Sequence, residues 1–527
     1  MRPIATPLKR FNRLIQILFW LLAFSQMPLA QQGFQFPERY NIRLSERANL
    51  HTDTLNHFGL RPFDLRRIKP TEEYAFIDSA RYYYLAQVKL FRDHLLEVKE
   101  KDFYLSIDPL LDLQWMDDLA DTGSYADTVR LTRNTRGLII QAEIGKTIRL
   151  QSTFLENQIV LPQGWKIFAD SLQIIPGMGR QKEFKVIGFD FGFSTSILSY
   201  SPASWIDLET GNGKKFIGHG YRSLLLSDAP FNYPYIGSNL RHPNGKWTFT
   251  WFHAGLQNLE RLPLGEVPES LFKRKAIGFH YVSFAPTPWL EVGLFDATIW
   301  QRWDSSGTQG LHPLMFNPIP LANSAFFGMN GKNNTLAGLN VRVRVHPKIH
   351  VYGQALSDDI SSSRMGFQAG IKTYRLGLEG LNLLLEYNLL SDRVYASPFP
   401  LQNYVHFNQP LGHPAGPGMS EIVGELHYRF RRVFFEFRYT WHERSSMPFN
   451  NPLIPEEDLN TTEIGNRPSF NLNQLDLRLG WLINPKTNLR IELAYTGRNN
   501  TWEDRSYRTE WLRLGLKTSL YNEYWDF

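Results

Sequence analysis

From about residue 133 to the C-terminus, apolar and polar positions alternate with a period of two. In "LNVRVRVHPKIHVYGQA", Leu339, Val341, Val343 and Val345 share one parity, and Asn340, Arg342, Arg344 and His346 share the other. Pro347 and Lys348 supply a tight turn, after which Ile349 and Val351 oppose His350 and Tyr352. The plan recurs in "LDLRLGWLINPKTNLRIELAY". There Leu475, Leu477, Leu479 and Trp481 alternate with Asp476, Arg478 and Gly480, and a turn at Asn484 to Thr487 leads into Leu489, Ile491, Leu493 and Tyr495. "VGELHYRFRRVFFEFRYTW" repeats it around Arg431 and Arg432. In "IGFDFGFSTSI", Phe189, Phe191, Phe193, Thr195 and Ile197 form one face, and Gly188, Asp190, Gly192, Ser194 and Ser196 the other. Side chains alternate across a strand, so each run predicts a strand with one apolar face, and each pair of runs a hairpin.

A water-soluble sandwich shows the same alternation. Three features favour a membrane barrel. The runs reach the roughly nine residues that a tilted strand needs to cross a bilayer. Tight turns alternate with long loops rich in Pro, Gly and Asn, such as "SDRVYASPFPLQNYVHFNQPLGHPAGPGMSE". Trp and Tyr gather near strand ends, where an interfacial girdle lies. Past residue 30 no segment carries the ~20 apolar residues of a spanning helix, and only helices and closed barrels satisfy backbone polar groups in lipid. The prediction is an all-β, transmembrane antiparallel outer-membrane β-barrel of about 16–18 strands over residues 133–527, its apolar faces toward lipid. The terminal "TEWLRLGLKTSLYNEYWDF" puts Leu512, Leu514 and Leu516 on the opposite parity from Trp525 and Phe527. Either a bulge resets the register or the last residues leave the sheet.

Residues 31–132 read differently. Tyr84, Val88, Phe91 and Leu95 are spaced for one face of a helix, predicted from about Glu72 to Lys99, followed by a strand over "FYLSIDPLLDLQW" ending at Pro109. This region is expected to form a small periplasmic part. Residues 1–30 carry a basic head (Arg2, Lys9, Arg10, Arg13), an apolar run from Leu14 to Phe24, and Ala30 at an expected cleavage point. That is the layout of a secretory signal peptide.

Composition narrows the function. There is no cysteine, so neither disulfides nor a lipoprotein anchor can form. The net charge of +6 includes four basic residues of the signal, leaving 53 basic against 51 acidic. A near-neutral mature chain argues against nucleic-acid binding. Aromatics reach 14%.

The stretch "GNGKKFIGHGYRSLLLSD" invites a nucleotide reading. The P-loop spacing fails, because Gly213-Lys214 is followed by Lys215 and Leu208 stands where the first glycine is required; the dinucleotide fingerprint also fails. As part of a barrel wall, Gly218 and Gly220 allow a kink or a close approach. Lys214, Lys215 and Arg222 then either present charge to an acidic polymer or pair with lumen carboxylates and stiffen the wall. No HExxH, Gly-x-Ser-x-Gly or catalytic carboxylate pair occurs, and no metal, cofactor or enzymatic activity is expected. His346 and His350 straddle a turn rather than align on a helix. On the polar face, Arg342, Arg344, Glu436, Arg438, Asp476, Arg478, Arg490 and Glu492 predict inward ion pairs.

Several segments resemble an outer-membrane barrel family of Bacteroidota whose members are labelled capsule assembly Wzi-like proteins, some of them gliding motility protein RemB. They are "GNGKKFIGHGYRSLLLSDAPFNYPY", "NNTLAGLNVRVRVHPKIHVYGQALSDD", "LEYNLLSDRVYASPFPLQNYVHFNQPLGHPAGPGMSE" and "GWLINPKTNLRIELAY". The resemblance implies a barrel of roughly 18 strands with a small helical periplasmic part. It also implies a role in holding acidic capsular or exported polysaccharide at the cell surface, or in gliding. The family supplies no catalytic residues. The segment points to Lys214, Lys215, Phe216, Gly218, Gly220, Tyr221, Arg222 and Asp228 as candidate ligand-binding or lumen-wall residues. The expected partners are outer-membrane lipid, the polysaccharide and the barrel assembly machinery that inserts the chain. A porin for small solutes is the alternative function.

Overall fold

The computed structural model describes residues 55, 57–64, 82–518 and 521–527, apart from 124, 126–127, 186, 263–271, 305–306, 324–332, 360–363, 445–469 and 503–504. The expected signal segment and residues 72–81 of the expected helix lie outside the described residues.

Eighteen antiparallel strands close into one cylinder. They are β1 (Phe103–Asp118), β2 (Leu131–Ile144), β3 (Ile148–Val160), β4 (Gly188–Ala203), β5 (Ile206–Gly213) and β6 (Tyr233–Arg241). β7 (Trp247–Arg261), β8 (Phe272–Thr287), β9 (Leu290–Gln301), β10 (Asn334–His346), β11 (Ile349–Asp359) and β12 (Arg364–Tyr374) follow. β13 (Leu381–Leu390), β14 (Met419–Phe430), β15 (Val433–Arg444), β16 (Phe470–Asn484), β17 (Leu489–Trp502) and β18 (Arg505–Thr518) complete the wall. Each strand pairs with the next, and β18 closes on β1 from Trp511 opposite Asp118 to Lys517 opposite Asp112. The wall begins at Phe103, upstream of residue 133, and β1 runs through Pro109 instead of ending there.

The hairpin turns at 347–348, 431–432 and 485–488 all fall at one end; brief links at the other end join only β11 to β12 and β17 to β18. The long connections fall at the opposite end. The wall carries the expected two faces. Leu339, Leu385, Leu479, Leu493 and Leu514 are exposed on the outside, and Trp205, Trp247, Trp289, Phe430 and Trp481 ring the short-turn end. The outside is an apolar band with an aromatic girdle. Inward, Arg438 faces Asp476 across the β15–β16 pair at 3.3 Å, Arg478 faces Glu436 at 3.6 Å, and Arg342 reaches Glu291 at 3.3 Å.

The rule that apolar faces meet lipid breaks on β4. Phe189, Phe191 and Phe193 point inward and are buried, whereas Asp190, Gly192 and Ser194 turn outward near the long-loop end. The inward face has its own apolar partners. The first helix, α1 (Leu85–Phe91), is short and lies at the short-turn end, outside this cluster. The second helix, α2 (Gln163–Leu172), in the β3–β4 connection, brings Trp165 onto the same inner cluster as the three phenylalanines.

The expected long N-terminal helix stops at Phe91. His94 Nδ1 lies 2.5 Å from an Asp108 carboxylate oxygen, and Leu95 N–H donates to the same carboxylate at 2.7 Å. These contacts turn the chain into a short strand, Leu96–Glu100, paired with β1. α1 is fastened beneath the barrel by Asn484, whose Nδ2 donates to Lys89 O and Asp93 O, both at 3.0 Å.

Candidate functional site

The candidate residues 214–228 are not part of the wall. Of the stretch 211–228, Gly211 to Gly213 end β5; from Lys214 the β5–β6 connection folds into the lumen as a plug, and Lys214 to Ala229 are all buried. At its start, Lys214 Nζ donates to Gly177 O at 2.8 Å and to Asp228 O at 3.1 Å. Burial pushes this ammonium down to about 8, with Asp228 only partly opposing it. Lys215 pairs with Glu209, and Phe216 and Ile217 form a two-residue sheet with Leu60–Arg61 of the N-terminal segment.

Two glycines let the plug touch the far wall. Gly218 has a φ of +153°, and a Cβ there would meet Gln354 at 2.6 Å. A Cβ on Gly220 would strike the Glu386 carboxylate and lie 2.9 Å from Arg222 O. Glu386 instead accepts from the backbone N–H groups of Tyr221, at 2.8 Å, and Arg222, at 3.0 Å. Gln354 accepts from Leu224 N–H at 2.8 Å and donates to Ile217 O at 2.9 Å. The wall thus supplies side-chain partners for a loop backbone whose own ladder is confined to Phe216 and Ile217.

Arg222 is the centre of this arrangement. Its Nη2 donates to Glu421 Oε1 at 2.7 Å and to Asp526 O at 2.8 Å, while Nη1 lies 3.1 Å from Asp526 Oδ1. Asp526 belongs to the C-terminal tail. After β18 the last residues leave the sheet and climb the lumen from the short-turn end. Tyr521 bonds Thr195 at 2.6 Å, Glu523 pairs with Arg133 at 2.6 Å, and Tyr524 donates to Asp228 at 2.5 Å. Arg498 Nη2 donates to the main-chain oxygen of Phe527 at 2.9 Å. Burial works against the charge of Asp526, but Arg222 and Arg438 outweigh it and hold the carboxyl at about 2. The eight candidate residues therefore sit together, and those with charge are engaged by the protein itself. The parity break before Phe527 was the sequence signal for the tail; nothing in the sequence links Arg222 to Glu421 or Asp526.

Above the plug, at the long-loop end, lies a cleft of about 780 Å³. One side is α2, with Trp165 and Phe168; another is the β13–β14 connection, with Asn408 and Gln409. Arg444, Phe470, Asn500 and Tyr507 line it from the strand ends, and Tyr524 and Phe527 of the tail contribute to it from below. Phe527 meets Trp165 edge-on at 5.9 Å and Phe168 at 5.7 Å. Arg444 donates to Ala415 O at 2.7 Å and covers the Phe470 ring at 5.0 Å; among the described residues it has no carboxylate partner. Apolar rings with a few convergent amides and a cation can hold and orient a polar ligand that has apolar faces.

No curated protein matches the sequence. Among solved structures the chain is similar to Wzi of Escherichia coli, described as an outer membrane protein involved in group 1 capsule assembly and a carbohydrate-binding β-barrel. The two are 14% identical with a TM-score of 0.55, over 92% of this chain and 99% of that one. Lower similarity extends to Acinetobacter baumannii OccAB2, at 12% identity and a TM-score of 0.42 over 79% of this chain and 97% of that one. Pseudomonas aeruginosa OpdK, solved with vanillate, gives 12% and 0.43 over 79% and 98%. The family model of the capsule assembly protein Wzi matches residues 190–506, more than half of the 527, and the chain belongs to that family.

Proposed function

We propose that this protein is a non-enzymatic outer-membrane barrel that holds an exported, acidic polysaccharide at the cell surface through its long-loop cleft. In barrels of this class the short turns face the periplasm and the long loops face outward. The cleft then opens to the exterior, and the plug and tail below it bar passage of solute through the lumen. The observation that carries the reading is the composition and position of the cleft. Phe168 and Tyr507 offer rings to sugars beside the buried Trp165 and Phe470, Asn408 and Asn500 offer amides, and Arg444 offers a cation to a uronate or other acid group. Lys214, Lys215, Arg222 and Asp228 serve it from beneath as the internal pairs that fix the plug. The family membership and the carbohydrate binding stated for the Escherichia coli protein agree with this role.

The test is deletion of the gene followed by staining of capsule retained on the cell against capsule shed to the medium. The reading predicts shed polymer, restored by the intact gene and not by a Tyr507→Ala, Arg444→Gln variant. Full retention in the deletion strain overturns it, and a gliding defect in that same strain would move the surface role to motility.

A further inference from the structure

The described part of the connection between β9 and β10, residues 302–304 and 307–323, packs on the outer face of the wall. It begins with a small hairpin, Trp303–Asp304 with Gly307–Thr308, and then runs down the outside of the wall over β7, β8 and β9. Met315 is buried against outward-facing Ala276 and Trp300, and His312 stacks on the Trp300 ring at 4.9 Å. Phe316 meets the outward-facing ring of His253 at 5.1 Å.

Beneath this strap the wall is not apolar. His280 of β8 and Asp296 of β9 are cross-strand partners that both point outward, yet both are buried. His280 Nδ1 lies 3.0 Å from Asp296 Oδ2 and Nε2 lies 2.8 Å from Asn317 O; Leu321 N–H donates to Asp296 Oδ1 at 3.1 Å. Both ring nitrogens face acceptor oxygens, so the ring can donate at either one. Backbone groups of the strap complete its hydrogen bonding.

The depth of this pair gives the strap its role. Trp247 and Trp289 mark the girdle at the short-turn end. His280 lies opposite Trp251, four positions above Trp247, and Asp296 is seven above Trp289. At about 3.3 Å per residue and a tilt near 40°, those counts place the pair roughly 10–18 Å above the girdle, within an apolar band about 25 Å tall. A carboxylate facing lipid there is costly.

We propose that the strap is a membrane-embedded segment whose outer face binds lipid acyl chains while its inner face seals the His280–Asp296 pair from them. The outer face has the right chemistry. Leu311, Leu314, Phe316, Ile319 and Leu321 are all exposed, Ile319 at 62%, and they continue the apolar band that Leu294 and Leu339 present on the wall beside them. The partner is the hydrocarbon of the surrounding lipid, not a second protein.

The absence of cysteine makes the test direct. Ile319→Cys, Leu294→Cys on the bare wall and Asn244→Cys in a short turn are each spin-labelled in phospholipid vesicles, and relaxation by oxygen is compared with relaxation by a water-soluble nickel chelate. The proposal expects the Ile319 label to match Leu294, with high oxygen and low nickel accessibility. Nickel accessibility equal to that of Asn244 overturns it by placing the strap in water. Shielding from both reagents overturns it by placing a protein partner there. None of these sites touches the cleft, so capsule retention reports separately on the proposed function.

Discussion

Replacing Arg222 by alanine removes a buried group that ties plug, wall and tail together. Its guanidinium is fully buried and contacts Glu421 of β14 and Asp526 of the tail. Breaking a buried ion pair by removing one partner costs about 3–5 kcal/mol, because the remaining charge stays desolvated. Here the lower end applies. Glu421 keeps His413 at 2.8 Å and Asn388 at 3.0 Å, and Asp526 keeps Arg438 at 3.5 Å. A loss of about 3 kcal/mol raises the population of the released tail roughly 100-fold, at about 1.4 kcal/mol per factor of ten. Removal of Phe527 by a carboxypeptidase reads that population when opening and closing outpace cleavage. In detergent-folded protein, Arg222→Ala should release phenylalanine about 100 times faster than the parent. Arg508→Ala should match the parent, since the Arg508–Glu510 pair lies on the surface with Arg508 72% exposed, and such pairs contribute little. Equal release from Arg222→Ala and the parent would refute the claim that this contact locks the tail.

Other consequences can be measured separately. Gly220→Ala should lower the thermal midpoint and speed phenylalanine release, because the new methyl meets Glu386 and Arg222 O; an unchanged midpoint and release rate would show that the plug can shift freely. Asp526, held at about 2 against an ordinary 3.8, adds stability that is present above the ordinary value and lost as pH falls through the lowered one. Hydrogen exchange should therefore show residues 524–526 losing protection between about pH 4 and pH 2, and constant protection over that window would contradict the pairing. Arg444→Gln should weaken an acidic oligosaccharide about tenfold by calorimetry while leaving its neutral counterpart unchanged, in keeping with the ~1.5 kcal/mol or more of a charge-assisted bond; equal effects on both ligands would remove Arg444 from acid recognition.

How much the sequence revealed depended on the range of the interactions. The hairpins around 347–348 and 485–488 were legible because their pairing is local and their alternation is complete. The inward pairs Arg438–Asp476 and Arg478–Glu436 followed from the same parity. β4 misled, since alternation reports that one face is apolar but not whether lipid or α2 covers it. The plug was not legible at all. Residues 214–228 have no period, and Arg222 finds its partners 199 and 304 positions away. The strap hid for a related reason: Leu311, Leu314, Phe316 and Ile319 read as a loop until their position on the outer wall is known.

The proposed binding role, as opposed to that of a pore, requires that loop and tail close the barrel. Current through the purified protein reconstituted in a planar bilayer tests this most directly. A closed barrel gives a flat trace with no discrete steps from the native chain, whereas resolved, uniform conductance steps would show an open lumen.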